Sequence, residues 1–250
     1  MKQPSKSSDG EARPRPTQRV TADEQLFVAP FRERVPFTQT DPWRVLRIMG
    51  EFVAGFDELA DIGAAVTIFG SARSRPGDPM FEVAVETARR LGREGFSILT
   101  GAGPGIMEAA NKGARDVGAL SIGLNIELPK EQHANPYLDR VVDFRYFFVR
   151  KTMLVKYSSA FVIFPGGFGT MDELFESLTL IQTEKVRHMP IVLFGSDFWE
   201  GLLAWMREAV LAGGKISPQD LDIFQVVDDP DDVVRIVVQA RNGEVDHPVP

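Results

Sequence analysis

From residue 64 onward the sequence alternates short β-branched and aromatic runs with longer stretches whose apolar residues recur at helical spacing, and few folds accommodate that pattern. The short runs fall at residues 66–69, 96–99, 120–126, 141–144, 160–164 and 191–194. Between most of them lie stretches of helical length at 81–91, 106–117, 146–157 and 173–183. A strand that reads as one continuous apolar run is buried on both faces, which requires helices above and below a parallel sheet. Right-handed crossovers then wind such units into an α/β, Rossmann-like doubly wound sheet with helices on both faces. Stretches 198–211 and 230–240 read as closing helices, and 224–227 as a last strand.

The flanks read differently. Residues 1–25 are rich in Ser, Pro, Lys, Arg and Gln and poor in large apolar groups, so they are expected to form a disordered tail. A single nucleotide-binding domain is expected over 26–242, followed by a short tail at 243–250. The first helix starts at Thr40-Asp41-Pro42, where Asp41 is suited to cap and Pro42 to the first turn. Leu46, Met49, Phe52, Val53, Phe56 and Leu59 then recur at helical spacing. That stripe is longer than one edge of an already covered sheet can bury, which predicts a homo-oligomer built on a dimer.

Composition removes whole classes of function. The 250 residues include no cysteine, so disulfides, thiolate nucleophiles and Cys-ligated metals are out. The three histidines, His133, His188 and His247, lack metal-ligand spacing, and no metal site is expected. A formal net charge of −7 argues against nucleic acid as the main partner while permitting a small phosphorylated ligand. No run approaches the ~20 apolar residues of a membrane span, and the N-terminus lacks the apolar core of a signal peptide. A cytoplasmic protein is expected.

Ligands of such sheets bind where strands run into helices, and three of these turns are unusual. After the first strand comes Phe69-Gly70-Ser71-Ala72-Arg73, small enough for an anion to approach the backbone. After the second comes Thr100-Gly101-Ala102-Gly103-Pro104-Gly105-Ile106-Met107. Its GxGxG spacing is not the GxGxxG of dinucleotide folds, which leaves a mononucleotide or sugar-phosphate site. The third is Phe164-Pro165-Gly166-Gly167-Phe168-Gly169-Thr170-Met171-Asp172-Glu173, a buried strand running through glycines into a helix. Amides of Gly166, Gly167, Gly169 and Thr170 would meet a phosphate at the helix N-terminus, favoured by the helix dipole. The Gly-Lys-Ser/Thr ending of a Walker A loop is missing, so a monophosphate is expected. Thr170 and Glu173 also have the spacing of a capping box, and spacing alone leaves Glu173 either a cap or a functional carboxylate. Arg150 and Lys151 lie in an otherwise apolar helix, where at least one needs an anionic partner.

These residues resemble the LOG ("Lonely guy") family of phosphoribohydrolases. Pro165 through Glu173 matches its PGGxGTxxE signature, Arg150-Lys151 its upstream Arg-Lys pair, and the turns at Gly101 and Gly70 its first two glycine turns. The likeness covers about residues 64–194. Phe147-Phe148 stands where the family usually has Met-His, which, with the N-terminal extension, is similar to a longer bacterial branch and leaves the base open. The resemblance implies hydrolysis of an (N6-modified) adenosine 5′-monophosphate to free base and ribose 5-phosphate, in cytokinin activation or nucleotide salvage. It implies Arg150 and Glu173 as the catalytic pair and no metal or organic cofactor. Gly70, Ser71, Gly101, Gly103, Gly105, Lys151, Gly166, Gly167, Phe168, Gly169, Thr170 and Thr179 are the expected substrate-binding residues, with Gln182 in a weaker Thr-x-x-Gln pattern. It also implies dimers or hexamers. Two rivals are weighed against it. The "lysine decarboxylase" label often given to such proteins would need pyridoxal phosphate and a Schiff-base lysine, for which Lys151 is the one candidate near the turns. A non-catalytic carrier of a phosphorylated ligand would need the loop but not the Arg150–Glu173 pair.

Overall fold

The structure, a computed structural model, describes residues 20–27, 36–128, 133–186 and 189–243. Seven strands form one sheet: β1 (Ala65–Phe69), β2 (Ser97–Thr100), β3 (Ser121–Ile126), β4 (Arg140–Phe144), β5 (Ala160–Ile163), β6 (Ile191–Phe194) and β7 (Phe224–Val227). Their order is β4-β3-β2-β1-β5-β6-β7, and every neighbouring pair is parallel. The chain therefore starts in the middle of the sheet, builds outward to β4, and returns to the other side of β1. This reversal opens a crevice between the carboxyl ends of β1 and β5, the topological switch point of a doubly wound sheet. The Rossmann-like architecture is the one the strand and helix alternation calls for.

Alternation along each strand sorts the side chains into two cores. On one face Phe69, Leu99, Ile122, Phe161 and Ile163 pack with Leu59, Met153, Leu174 and Trp199. These last four come from α2 (Asp41–Leu59), α5 (Phe147–Lys156), α6 (Phe168–Gln182) and α7 (Ser196–Trp205). On the other face Val66, Ile68, Ile98, Val162 and Val192 pack with Val85, Ala110 and Val233. These belong to α3 (Pro79–Arg93), α4 (Ile106–Asp116) and α8 (Pro230–Asn242). Both cores are continuous under the switch point, so the turns above it rest on rigid strands. No helix among the described residues is long and apolar enough to cross a membrane.

Three boundaries differ from expectation. Residues 1–19 and 244–250 lie outside the described residues, but residues 20–25 are not a tail. Thr21 and Ala22 are buried and α1 (Ala22–Phe27) packs Leu26 on the core, contacts too few for average polarity to disclose. Thr40 rather than Asp41 occupies the N-cap of α2, and Asp41 pairs with Arg44 within the first turn instead of capping. Most consequentially, α6 begins at Phe168, five residues before the expected start, because Gly169 is accommodated in its first turn.

Candidate active site

The three glycine turns are bonded to one another. The Phe164 amide donates to the Phe69 carbonyl (2.9 Å), Ser71 to Pro165 (3.0 Å) and Ile106 to Ser71 (3.0 Å). The turn after β1 is thus tied on one side to the turn after β5 and on the other to the N-terminus of α4. Such closeness constrains side chains. At Gly105, φ is +73° and a Cβ would lie 2.2 Å from the Ser71 carbonyl oxygen, so no other residue fits.

A buried polar network fixes the second turn from behind. The Thr100 hydroxyl donates to Asn111 Oδ1 (2.7 Å), and Asn111 Nδ2 donates to Ser121 Oγ (2.9 Å). Asn135 Nδ2 reaches the carbonyls of Ala102 and Gly103, both at 3.1 Å, and Asn111 Oδ1 at 2.9 Å. Ala102 is held at φ 64° by these bonds, by its own amide's bond to Thr100 Oγ1 and by the Asn135 amide. Left-handed backbone at a residue with a Cβ is strained, and here the surrounding bonds over-determine it. Of these polar residues only Thr100 falls within the motifs read from the sequence; for the rest a lone Asn in an alanine-rich helix was the available signal.

The third turn supplies donors. Gly167 is the N-cap of α6 in extended conformation, and the first amide with an intrahelical acceptor is Met171, bonded to the Gly167 carbonyl at 3.0 Å. The amides of Phe168, Gly169 and Thr170 therefore precede the helical ladder at the positive end of the dipole. A cleft of about 870 Å³ lies over them, within the range of small-molecule sites. Gly70, Ser71, Gly101 and residues 166–170 line it, as do Arg150 and Glu173. Met107 and Phe147, which the sequence motifs include, line it together with Ile126, Leu128 and Leu154, which they do not, and these give it an apolar wall.

Arg150, from α5, and Glu173, from α6, face each other across the floor of the cleft. Nη2 of Arg150 stands 3.7 Å from Oε1 of Glu173, longer than a hydrogen bond. Glu173 is 5% exposed, and burial pushes its carboxyl up to about 7 despite the pull of Arg150 and Lys151. Burial also lowers Arg150, against the opposing pull of Glu173 and Asp172. The Arg150 Nε is buried without an acceptor among the described residues, and its guanidinium lies 5.3 Å over the Phe147 ring. The Arg150 guanidinium thus keeps unmet hydrogen-bonding capacity. The capping alternative for Glu173 does not hold: with α6 starting at Phe168, Glu173 lies beyond the first turn and the helix has no side-chain cap.

Five expected residues stand apart from the cleft. Lys151 points to the outer face of α6, with Nζ 3.0 Å from Asp172 Oδ2 and 2.8 Å from Glu176 Oε2. Gly103 and Gly105 shape the second turn without lining the cavity, and Thr179 bonds back to the Phe175 carbonyl. Gln182 instead donates to Asp220. Among the described residues no lysine lines the cleft, so those residues do not fit a pyridoxal phosphate Schiff base.

A family model described as "Possible lysine decarboxylase" matches residues 107–237. A cytokinin riboside 5′-monophosphate phosphoribohydrolase of Mycobacterium tuberculosis is 30% identical over 167 residues, covering 62% of this chain and 84% of that protein. The LOG phosphoribohydrolase of rice is 29% identical over 148 residues, covering 58% of this chain and 60% of that one. Among solved structures, the molybdenum cofactor carrier protein of Chlamydomonas reinhardtii superposes with a TM-score of 0.54 at 19% identity, over 72% of this chain and 98% of that one. The molybdenum cofactor binding protein of Rippkaea orientalis does so with a TM-score of 0.54 at 18% identity, over 70% and 96%. At such identities the two carriers share the fold alone. The sequence relatives and the family model, which spans more than half of the chain and includes the Arg150 and Glu173 positions, establish that this protein belongs to the LOG family.

Proposed function

We propose that the cleft hydrolyses the N-glycosidic bond of an adenosine-type nucleoside 5′-monophosphate, N6-modified or plain, giving free base and ribose 5-phosphate. One observation carries the reading: a buried carboxylate and a guanidinium with an unpartnered Nε, 3.7 Å apart, sit beside a helix N-terminus suited to phosphate. With the phosphate on the Phe168, Gly169 and Thr170 amides, the ribose reaches over Glu173 and the base lies along the apolar wall. As the bond from C1′ to the base breaks, positive charge builds on the ribose, and ionised Glu173 stabilises it. A water oxygen then bonds to C1′, its proton passing to Glu173 and on to solvent, while the bonding pair leaves with the base, whose nitrogen takes up one proton from solvent. Arg150 holds Glu173 or a ribose oxygen in register with its rigid donor fork. The names of the sequence relatives support the same reaction. The test is chromatographic detection of free base and ribose 5-phosphate from AMP, isopentenyl-AMP and other nucleoside monophosphates. Tight binding of these compounds without release of ribose 5-phosphate would instead make the protein a carrier.

We also propose that the working form is a homo-oligomer. Val45, Leu46, Met49 and Val53 of α2 are each more than half exposed, and Phe56 extends the same stripe. An apolar strip of this length on one helix face is suited to a second copy. Met49→Glu combined with Val53→Glu touches no core residue, so the fold should persist while light scattering shows loss of the dimer. A wild-type protein that is monomeric at micromolar concentration would defeat this reading.

A further inference from the structure

The helix that carries Arg150 has no cap of its own. Its N-cap is Tyr146, which makes no side-chain capping bond, and its first turn holds no acidic residue. The first amide to close an intrahelical bond is that of Arg150, which donates to the Tyr146 carbonyl at 3.2 Å. Arg150 therefore sits directly on the uncapped turn, and any movement of that turn moves its guanidinium.

Two carboxylates from outside the sheet take over the capping. Glu51 of α2 accepts from the Arg145 amide at 2.8 Å through Oε1 and from the Tyr146 amide at 3.3 Å through Oε2. Asp23 of α1 accepts from the Phe147 amide at 3.0 Å. Three successive amides at the positive end of α5 are thus held by two anions. Both carboxyls are pushed up by burial, against the pull of the amides, so they stand here at a desolvation cost. The connection to the cleft is short. Asp23 fixes the backbone of Phe147, the Phe147 ring lies under the Arg150 guanidinium, and Arg150 faces Glu173. A six-residue helix such as α1 has little stability alone, and among the described residues it is held by Ala22 in the core, by Leu26 packed against the core and by the Asp23 bond.

We infer that Asp23 and Glu51 are positioning residues, carboxylates lent by α1 and α2 that hold the first turn of α5 and so set Arg150 against Glu173. They touch neither the cleft nor the substrate. The N-terminal segment thereby becomes part of the working enzyme, because its docking completes the setting of the arginine. The inference rests on the proposed reaction only for its kinetic consequence.

The test uses the full chain and the variants Asp23→Ala, Asp23→Asn, Glu51→Ala and Glu51→Gln. Kinetics with AMP are measured beside unfolding temperatures and the NMR resonance of the Arg150 Nε–H, assigned by its loss in Arg150→Lys. Each alanine variant should lower kcat about fivefold, the scale of a lost helix cap, with KM little changed because the phosphate is held on α6. Asp23→Asn keeps the single acceptor its bond needs and should restore kcat, while Glu51→Gln retains one acceptor of two and should fall between. The Arg150 resonance should shift in both alanine variants. Folded alanine variants with wild-type kcat and an unmoved Arg150 resonance would overturn the inference, as would a failure of Asp23→Asn to rescue. If the wild type releases no ribose 5-phosphate from any nucleotide, the proposed reaction falls, and the resonance shift alone then decides whether these carboxylates position Arg150.

Discussion

Glu173→Gln is expected to lower kcat/KM for AMP about a hundredfold or more and, at pH 8, to make the protein harder to unfold. The two effects have one cause. The carboxylate is buried, and its folded-state pKa rises from 4.5 to about 7. A carboxyl whose folded pKa lies above its unfolded value favours the fold only while protonated. Its contribution is complete below pH 4.5 and is lost as pH climbs through about 7. Ionised Glu173 at pH 8 therefore costs the fold up to about 3 kcal/mol. Glutamine, nearly isosteric with the protonated acid, escapes that cost, so the stability gap between variant and wild type should open between pH 5 and pH 8 and close in acid.

Activity follows the opposite trend. Only the anion stabilises positive charge on the ribose, so wild-type kcat/KM should rise with pH, level off above about 7 and lose that inflection in Glu173→Gln. Arg150→Ala removes a charge that pulls the Glu173 pKa down, so the residual activity should turn on at higher pH than in wild type. If the pair acts as a unit, the double variant should be little slower than either single one. A folded Glu173→Gln protein with near wild-type turnover would leave the buried carboxylate without a catalytic role. The site holds a charge that the fold alone disfavours, the usual relation between stability and function at an active site.

The strands and the three turns were legible because each rests on local chemistry. Runs such as Val66-Thr67-Ile68-Phe69 suit only a strand buried on both faces, and a strand ending in glycines before a helix points to the crevice. What stayed hidden depends on contacts distant in sequence. The true start of α6 was masked because Gly169 reads as turn, yet its backbone lies in the first helical turn over the cleft. Lys151, adjacent to Arg150, looked equivalent to it, but one residue along a helix turns the side chain by about 100°, toward Asp172 and Glu176. Asn135 comes from the stretch before β4 and reaches the turn after β2, a pairing no spacing rule announces. Asp23, in a segment whose composition reads as tail, has its partner 124 positions away.

AMP should be turned over in preference to adenosine by about a thousandfold in kcat/KM, because a hydrogen bond to a charged group contributes about 1.5–3 kcal/mol and the α6 turn offers more than one. In the proposed reaction the phosphate lies far from C1′, so its contacts would seat the ribose against Glu173 rather than act on the breaking bond. Gly166 gives a way to spoil that seat from outside the pair. A Cβ at this position would fall 2.1 Å from Thr170 Oγ1 and 2.6 Å from Thr170 Cβ, and Thr170 is itself buried. In Gly166→Ala the first turn of α6 must therefore shift, disordering the amides that meet the phosphate while Arg150, on α5, stays in place. The variant should lose most of its advantage for AMP over adenosine, with AMP slowed far more than adenosine. Inorganic phosphate, a weak competitor for the wild type, should no longer inhibit it. Equal turnover of AMP and adenosine by the wild type, or a Gly166→Ala variant that slows both substrates alike, would take the phosphate away from α6 and reverse the direction in which the substrate lies in the cleft.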